Sequence, residues 1–493
     1  MRILLRTSAL VLLVAPLAAC DSAPLEPEGS RVHEALASTN DARATAKGAT
    51  GALATASPAE GALATIDDTE GTVDTAKDTP AESWSYDLLE TDLELDVANL
   101  RGKAALAIAA PGRSSASFEI GDLTIHSVTG KHGPLAYTAA NGKLHVAIGR
   151  SYRPVRIEVE YTFKGHNQFD GWDPSAGVSF LWPYFCGNLF PCKSSPSDGV
   201  RFRLHVTGAP EGSKAIYPTN VPGDAPSYMP AIAVGDFTEI DLGSTLFGTR
   251  VKAWHLPGQE ADTARGTAHL RNVFDFYERT YGRYTFGKVV GSVSANWGPG
   301  DYGGMEHHPY WHVAKGSMYN EETHAHEAAH GWFGNGVRVA CWEDFVLSEG
   351  TTTYLAAHAL KKQGVDVWPS YECRLKARCD ADQASTPNTI ALPDTTCNQI
   401  DLLHHPLWSG VPYYKGAYFY RKVAELIGED RLDRALAHFY ARHRGEAARM
   451  EDLLQTLKWH APSKADAIEA LANGWLRSFE CPDEWSTLCP SSP

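Results

Sequence analysis

His326-Glu327-Ala328-Ala329-His330, followed after eighteen residues by the Glu349 of Leu347-Ser348-Glu349-Gly350, is the stretch on which the reading of this sequence turns. Residues four apart on a helix share a face, so both imidazoles reach one point in space. Asn320 ahead of Glu321 and Glu322 reads as a helix start, because an Asn side chain accepts from exposed backbone N–H groups and acids suit the positive end of the helix dipole. The predicted helix runs from there to about Gly334. A second, from about Glu343 to Lys361, carries Glu349 back beside the first. Two nitrogens and one carboxylate with a position left open suit Zn2+, one per chain, with His326, His330 and Glu349 as ligands. Glu327 stands on an adjacent part of the face, where it serves as general base toward a water. The five-residue motif alone arises by chance on ordinary helices; the downstream glutamate makes it specific. His324 is two positions from His326 and points elsewhere. Asp344 and Asn335 are candidates either for orienting the imidazoles or for ordinary helix-end and turn hydrogen bonds.

Outward from this centre the pattern changes character. Leu270, Val273, Phe274, Tyr277 and Tyr281 fall on one helix face, and helical patterns recur near 415–427, 431–443 and 465–478. Residues 288–297 read as a strand. From about 83 to 250 the chain alternates, as in Val155-Arg156-Ile157-Glu158-Val159 and Arg201-Phe202-Arg203-Leu204-His205-Val206, with Gly, Pro and Asn141-Gly142 breaks between runs. The expected fold class is α+β and multidomain. An N-terminal antiparallel β-sandwich domain over 83–250 precedes a mainly helical domain over 251–493, which the zinc-type motif and the family resemblance it carries imply to be a thermolysin-like catalytic domain.

The start of the chain carries a different message. Arg2 and Arg6 precede a short apolar stretch, Ala9 to Leu17, and then Leu17-Ala18-Ala19-Cys20. This resembles a bacterial lipoprotein signal. The resemblance implies removal of residues 1–19, lipidation of Cys20, and an extracytoplasmic, membrane-anchored place in a bacterial cell envelope, periplasmic or at the cell surface; the alternative is an ordinary secretory signal cut near Ala19. Residues 20–82 read as a disordered Ala/Thr/Gly-rich tether, with Gly51-Ala52-Leu53-Ala54-Thr55 repeated at Gly61-Ala62-Leu63-Ala64-Thr65. Nine cysteines less Cys20 leave an even number for disulfides in an exported chain. Cys186/Cys192 and Cys481/Cys489 are plausible pairs, and Cys341, Cys373, Cys379 and Cys397 supply two more bridges of open connectivity. The 493 residues, 43% of them hydrophobic, suffice for two domains, and a net charge of -15 argues against nucleic acid as a partner.

The segments His326-Glu-Ala-Ala-His-Gly-Trp-Phe-Gly-Asn335 and Trp342-Glu-Asp-Phe-Val-Leu-Ser-Glu-Gly350 resemble the aminopeptidase N family of gluzincin metallopeptidases, which includes leukotriene hydrolase. Gly303-Gly304-Met305-Glu306-His307 resembles that family's exopeptidase motif. Tyr413-Tyr414-Lys415-Gly416 resembles the segment with its catalytic tyrosine, and Phe190-Pro191-Cys192 a marker near the end of its β-domain. The likeness spans roughly residues 85 to 480. It implies that Glu306 binds the free α-amine of a peptide, that Gly303, Gly304, Met305, Glu306 and His307 form the substrate-binding edge, and that Tyr413 rather than Tyr414 hydrogen-bonds the developing oxyanion. Two departures stand out. His307 occupies the place of the family's Asn, with His308 and His312 nearby as the makings of a second metal site. Trp182 occupies the place of an amine-binding Gln or Glu. The short run after residue 416 further implies a two-domain enzyme with an open cleft.

The expected function is therefore a zinc aminopeptidase acting on peptides with a free N-terminus. Its rivals are a zinc endopeptidase on the same site, an epoxide hydrolase, and an inactive surface binding protein on the peptidase fold.

Overall fold

A computed structural model describes residues 80–297, 303–385 and 390–480, the side chains of 378–385 excepted. The lipidation, signal-peptide and tether readings up to residue 79, together with Cys379, Cys481 and Cys489, lie outside those described. The N-terminal part is built on a seven-stranded sheet in which the strand Asp87–Asp96 lies antiparallel to the central strand Arg101–Ala109 on one side and parallel to Val200–Thr207 on the other. In Val200–Thr207 burial alternates residue by residue, with Val200, Phe202, Leu204 and Val206 inward and the residues between them in water. That is the period-2 pattern of a sheet with one wet face. A three-stranded sheet of Ser115–Glu119, Lys143–Ala147 and Tyr137–Ala140 buries Phe118, Leu144 and Val146 in the same core as Leu93, Leu106 and Ile157. The Cys186–Cys192 disulfide forms as expected.

The strand run does not stop at residue 250. Thr238–Ser244 pairs with Arg250–His255, which continues in parallel to Val289–Ala295 and then Tyr310–Ala314, edged by the short antiparallel strand Gly304–Met305. The 250/251 boundary drawn from sequence therefore falls one residue into the strand Arg250–His255 of the second sheet. Alternation reports a strand without reporting which sheet it joins.

Nine α-helices are described: α1 Glu260–Gly266, α2 Leu270–Tyr281, α3 Glu321–Ala329, α4 Phe345–Lys362, α5 Trp368–Ser385, α6 Gly410–Ile427, α7 Glu429–His443, α8 Met450–His460 and α9 Ala465–Ala472. The apolar face read from sequence on α2 is buried throughout. Helix α3 starts as expected, with the Asn320 side chain accepting from Glu322 N at 3.0 Å. It ends at Ala329 rather than Gly334, because the chain turns after His330 and Gly334 takes φ +98°, a conformation costly for residues with a Cβ. The 465–478 pattern splits into α9 and a π-helical turn at Asn473–Arg477, and α1, α5 and α8 are helices the sequence analysis does not anticipate. Helix α6 begins at Gly410, which puts Tyr413 inside its first turn.

Helices α4 and α6 cross at two glycines. A Cβ on Gly350 would stand 2.8 Å from the Cα of Gly416, and one on Gly416 would stand 2.5 Å from the Cα of Gly350. Only bare backbone allows this approach, and it brings the turn bearing Tyr413 against the helix bearing Glu349. The two halves of the molecule are joined by buried Arg338, which donates to the carbonyls of Ser197 (3.3 Å), Asp224 (3.0 Å) and Gly445 (3.1 Å). Among the described residues no helix is long and apolar enough to cross a membrane.

Candidate metal centre and substrate cleft

The side chains singled out on α3 and α4 converge. His326 Nε2 lies 3.1 Å from Glu349 Oε2 and 3.2 Å from His330 Nε2, and His330 Nε2 lies 3.5 Å from Glu349 Oε2. Neighbouring ligands of a tetrahedral ion with ~2.0 Å bonds stand about 3.3 Å apart, so three donors at these separations fit zinc. Hydrogen bonds behind the imidazoles fix which nitrogen is left to bind. His330 Nδ1 donates to the carbonyl of Phe333 at 3.1 Å. Thr353 Oγ1 donates to the carbonyl of Glu349 at 2.7 Å and stands 3.4 Å from His326 Nδ1, placed to accept from it. The partners anticipated from sequence are engaged elsewhere. Asp344 accepts from Met450 N at 2.9 Å and pairs with Arg449, and Asn335 Nδ2 donates to the carbonyl of Glu306 at 2.7 Å. The imidazoles are instead held by a main-chain carbonyl and a hydroxyl, for which no sequence signal exists.

Glu349 shows how strongly this cluster is coupled. Burial raises the pKa of its carboxyl, but His330 and His326 more than offset this and hold it below the usual carboxylate range. Glu306 shifts the other way. Burial raises it, His330 opposes, and Glu349 adds to the rise. The carboxylates of Glu306 and Glu327 and a ring nitrogen of His330 lie within 4.8 Å of one another. The edge strand passes so close to Glu327 that a Cβ on Gly304 would fall 2.5 Å from Glu327 Oε1. Tyr228, from the N-terminal half, is close enough to Glu306 for its phenol to oppose the rise of that carboxyl's pKa. It sits between Pro226 and Pro230 in a stretch without periodicity, and nothing in the sequence marked it.

The two tyrosines part company. The Tyr413 ring stacks over the His326 imidazole at 5.7 Å between centroids and lies 5.9 Å from the Phe345 ring. The Tyr414 hydroxyl accepts from Arg374 at 3.2 Å, and its ring packs on Tyr371. His307 has different neighbours from Glu306. Its ring packs on Phe180 and His312, and neither ring nitrogen has a hydrogen-bond partner among the described residues. His308 is committed to the Tyr284 hydroxyl and the carbonyl of Glu327, both at 2.8 Å, so it does not join His307 and His312 in a second three-ligand group. Trp182 packs against Trp342, Phe345 and Trp408, an aromatic wall that continues through Phe345 to Tyr413. A separate cavity of about 830 Å³ lies at the Arg338 junction, and none of its lining residues belongs to the His326, His330 and Glu349 group.

Residues 308–475 match the family described as the peptidase family M1 domain. That segment is similar to an M1 peptidase domain. The match agrees with the resemblance of the motifs to the zinc peptidases of the aminopeptidase N type. The β-rich N-terminal part ahead of the M1 domain matches two-domain M1 structures. An M1 zinc metallopeptidase from Deinococcus radiodurans superimposes with a TM-score of 0.67 at 19% identity, over 81% of this chain and 96% of that one. Yeast LTA4 hydrolase in complex with bestatin gives 0.67 at 18% identity, over 82% and 69%. In sequence, leucine aminopeptidase 2 of Emericella nidulans is 27% identical over 317 residues, covering 58% of this chain and 48% of that protein. The chain spans about half the length of such fungal relatives, and the matched residues 308–475 include His326, His330, Glu349 and Tyr413.

Proposed function

We propose that the protein is a zinc aminopeptidase, with one ion per chain held by His326, His330 and Glu349. The observation that carries this reading is the position of Glu306, a buried carboxylate clustered with His330 and Glu327 beside the ligands. A carboxylate there meets the α-ammonium of a peptide and measures substrate from its amino end. Zinc, when bound, supplies Lewis acidity toward a carbonyl and lowers the pKa of water. The chain's own groups do the rest. Glu327 takes the proton of the attacking water and returns it to the leaving amine. Tyr413 donates a hydrogen bond to the carbonyl oxygen as negative charge develops there. Gly303, Gly304 and Met305 present edge-strand backbone to the substrate, Tyr228 orients Glu306, and His307 packs behind the edge strand. The names of the fungal leucine aminopeptidases and of a Deinococcus metallopeptidase bound to a Tyr-Ser-Ala substrate support the same class of reaction.

The test compares one peptide with a free and an acetylated amino terminus. Cleavage of the free form alone is expected; equal cleavage of both would replace this reading with the endopeptidase one. Wild-type activity no greater than that of Glu327→Gln on any peptide would leave only a binding role. We also propose that Cys20 is lipidated and tethers the enzyme outside the cytoplasm. Cys20→Ala is expected to move the protein from the membrane to the soluble fraction, and unchanged partitioning would exclude the anchor.

A further inference from the structure

We infer that Arg374 is a binding site for the terminal carboxylate of short peptides, so that the cleft measures substrates from both ends. This rests on the aminopeptidase reading, because it needs the amine fixed at Glu306. Glu322, His326 and His330 follow one another at four-residue spacing on α3, so they occupy one face of the helix, about one turn apart. Glu306 gathers with His330 at the C-terminal end of this row. At the other end Arg374 Nη1, from α5, donates to Glu322 Oε1 at 2.9 Å and to the Tyr414 hydroxyl at 3.2 Å. Tyr413 stacks over His326 between the two ends. A substrate with its amine at Glu306 and its scissile carbonyl under Tyr413 therefore continues toward Arg374.

The length and chemistry of the gap both fit. Glu322 and His330 are eight residues apart, about 12 Å of helix rise. An extended peptide advances about 3.3–3.6 Å per residue, so the gap takes about three to four residues. The guanidinium has five N–H donors in a planar fork that matches a carboxylate, more than its two bonds use. Its side chain is 42% exposed while that of its counter-ion Glu322 is 16% exposed, so the cation is presented and the anion kept beneath. Two partners on two different helices hold the guanidinium in place before a ligand arrives, which lowers the ordering cost of binding.

The zinc-loaded full chain is assayed on alanine peptides of two to eight residues, each as free acid and as C-terminal amide, with N-acetylated forms alongside. The acid is expected to exceed the amide in kcat/KM by about fivefold, through KM, with the ratio greatest at three to four residues; partial exposure keeps the effect moderate. In Arg374→Ala the ratio falls to about one, and Arg374→Lys retains part of it. A wild-type ratio near one at every length overturns the proposal, as does a ratio that survives in Arg374→Ala. If Arg374→Ala does not fold, Arg374→Gln gives the same comparison while keeping a donor for Glu322. Equal cleavage of the acetylated peptides brings down the aminopeptidase reading instead, and it is recorded independently of the acid-to-amide ratio.

Discussion

The strand Val200–Thr207 and helix α4 place polar side chains by opposite rules. The strand sends Arg201, Arg203 and His205 into water and keeps only apolar residues inside. Helix α4 buries sixteen of its eighteen residues, and Ser348, Glu349, Thr351, Thr352, Thr353 and His358 are among them. Polar groups on the strand keep their hydration and add little to stability. On α4 each buried polar group needs a partner: Ser348, Thr352 and Thr353 lie against the imidazoles of the metal-ligand cluster, while Thr351 pairs with Tyr420 and His358 with Asp433. The contrast separates a half that tolerates change on its outer face from one in which chemistry and packing share the same side chains.

The largest expected effect bears on the buried half. Glu327→Gln keeps shape and volume but removes the base, so kcat on a free-amine peptide should fall about 10²–10⁴-fold with Tm little changed. A variant within threefold of wild type would remove Glu327 from the reaction. Acid comes next. His307, His308, His312 and His324 are buried, and burial lowers all four, to about 3 for His308 and His312 and about 4 for His324. In the unfolded chain they titrate near ~6.5. Between that pH and about 4 the unfolded chain binds more protons than the folded one. Stability therefore falls as pH drops through this window, by up to about 1.4 kcal/mol per pH unit for each histidine. Equal urea midpoints at pH 7.5 and pH 5 would contradict this.

Smaller still is the effect of Gly416→Ala, where one methyl enters the α4–α6 crossing and should cost about 1–3 kcal/mol, read as a lower Tm together with a lower kcat because Tyr413 moves with the helix. An unchanged Tm would mean that the crossing yields more readily than its close approach implies. At the bottom of the scale, Arg203→Ala removes surface ion pairs to Glu90 (2.6 Å) and Asp92 (3.2 Å) and should shift stability by no more than ~0.5 kcal/mol. A loss above 1 kcal/mol would erase the distinction between the two halves.

What the sequence discloses follows the same division. Where one face meets water, periodicity is written into the residues, as in Val200–Thr207 and in α2. Helix α8 carries a similar stripe at Met450, Leu453, Leu454 and Leu457. Helix α4 has no such stripe, because a helix buried all round has no polar side to contrast with an apolar one. It was legible only through the spacing of Glu349 from His330, a chemical rather than a periodic signal. The groups that hold the site in place left no trace of either kind. The Phe333 carbonyl is main chain, Thr353 is an ordinary helix residue, and Tyr228 lies in a proline-bounded loop far away in sequence.

Arg338 and Tyr228 together bear on where this protein can be cut. A fragment beginning at residue 251 would keep every metal-ligand candidate, yet it would strip a buried guanidinium of the Ser197 and Asp224 carbonyls and deprive Glu306 of its phenol. The seam between the halves is therefore no perforation. The β-rich half helps to wall the carboxylate proposed to bind the substrate amine, and the helical half alone is not expected to keep the same recognition.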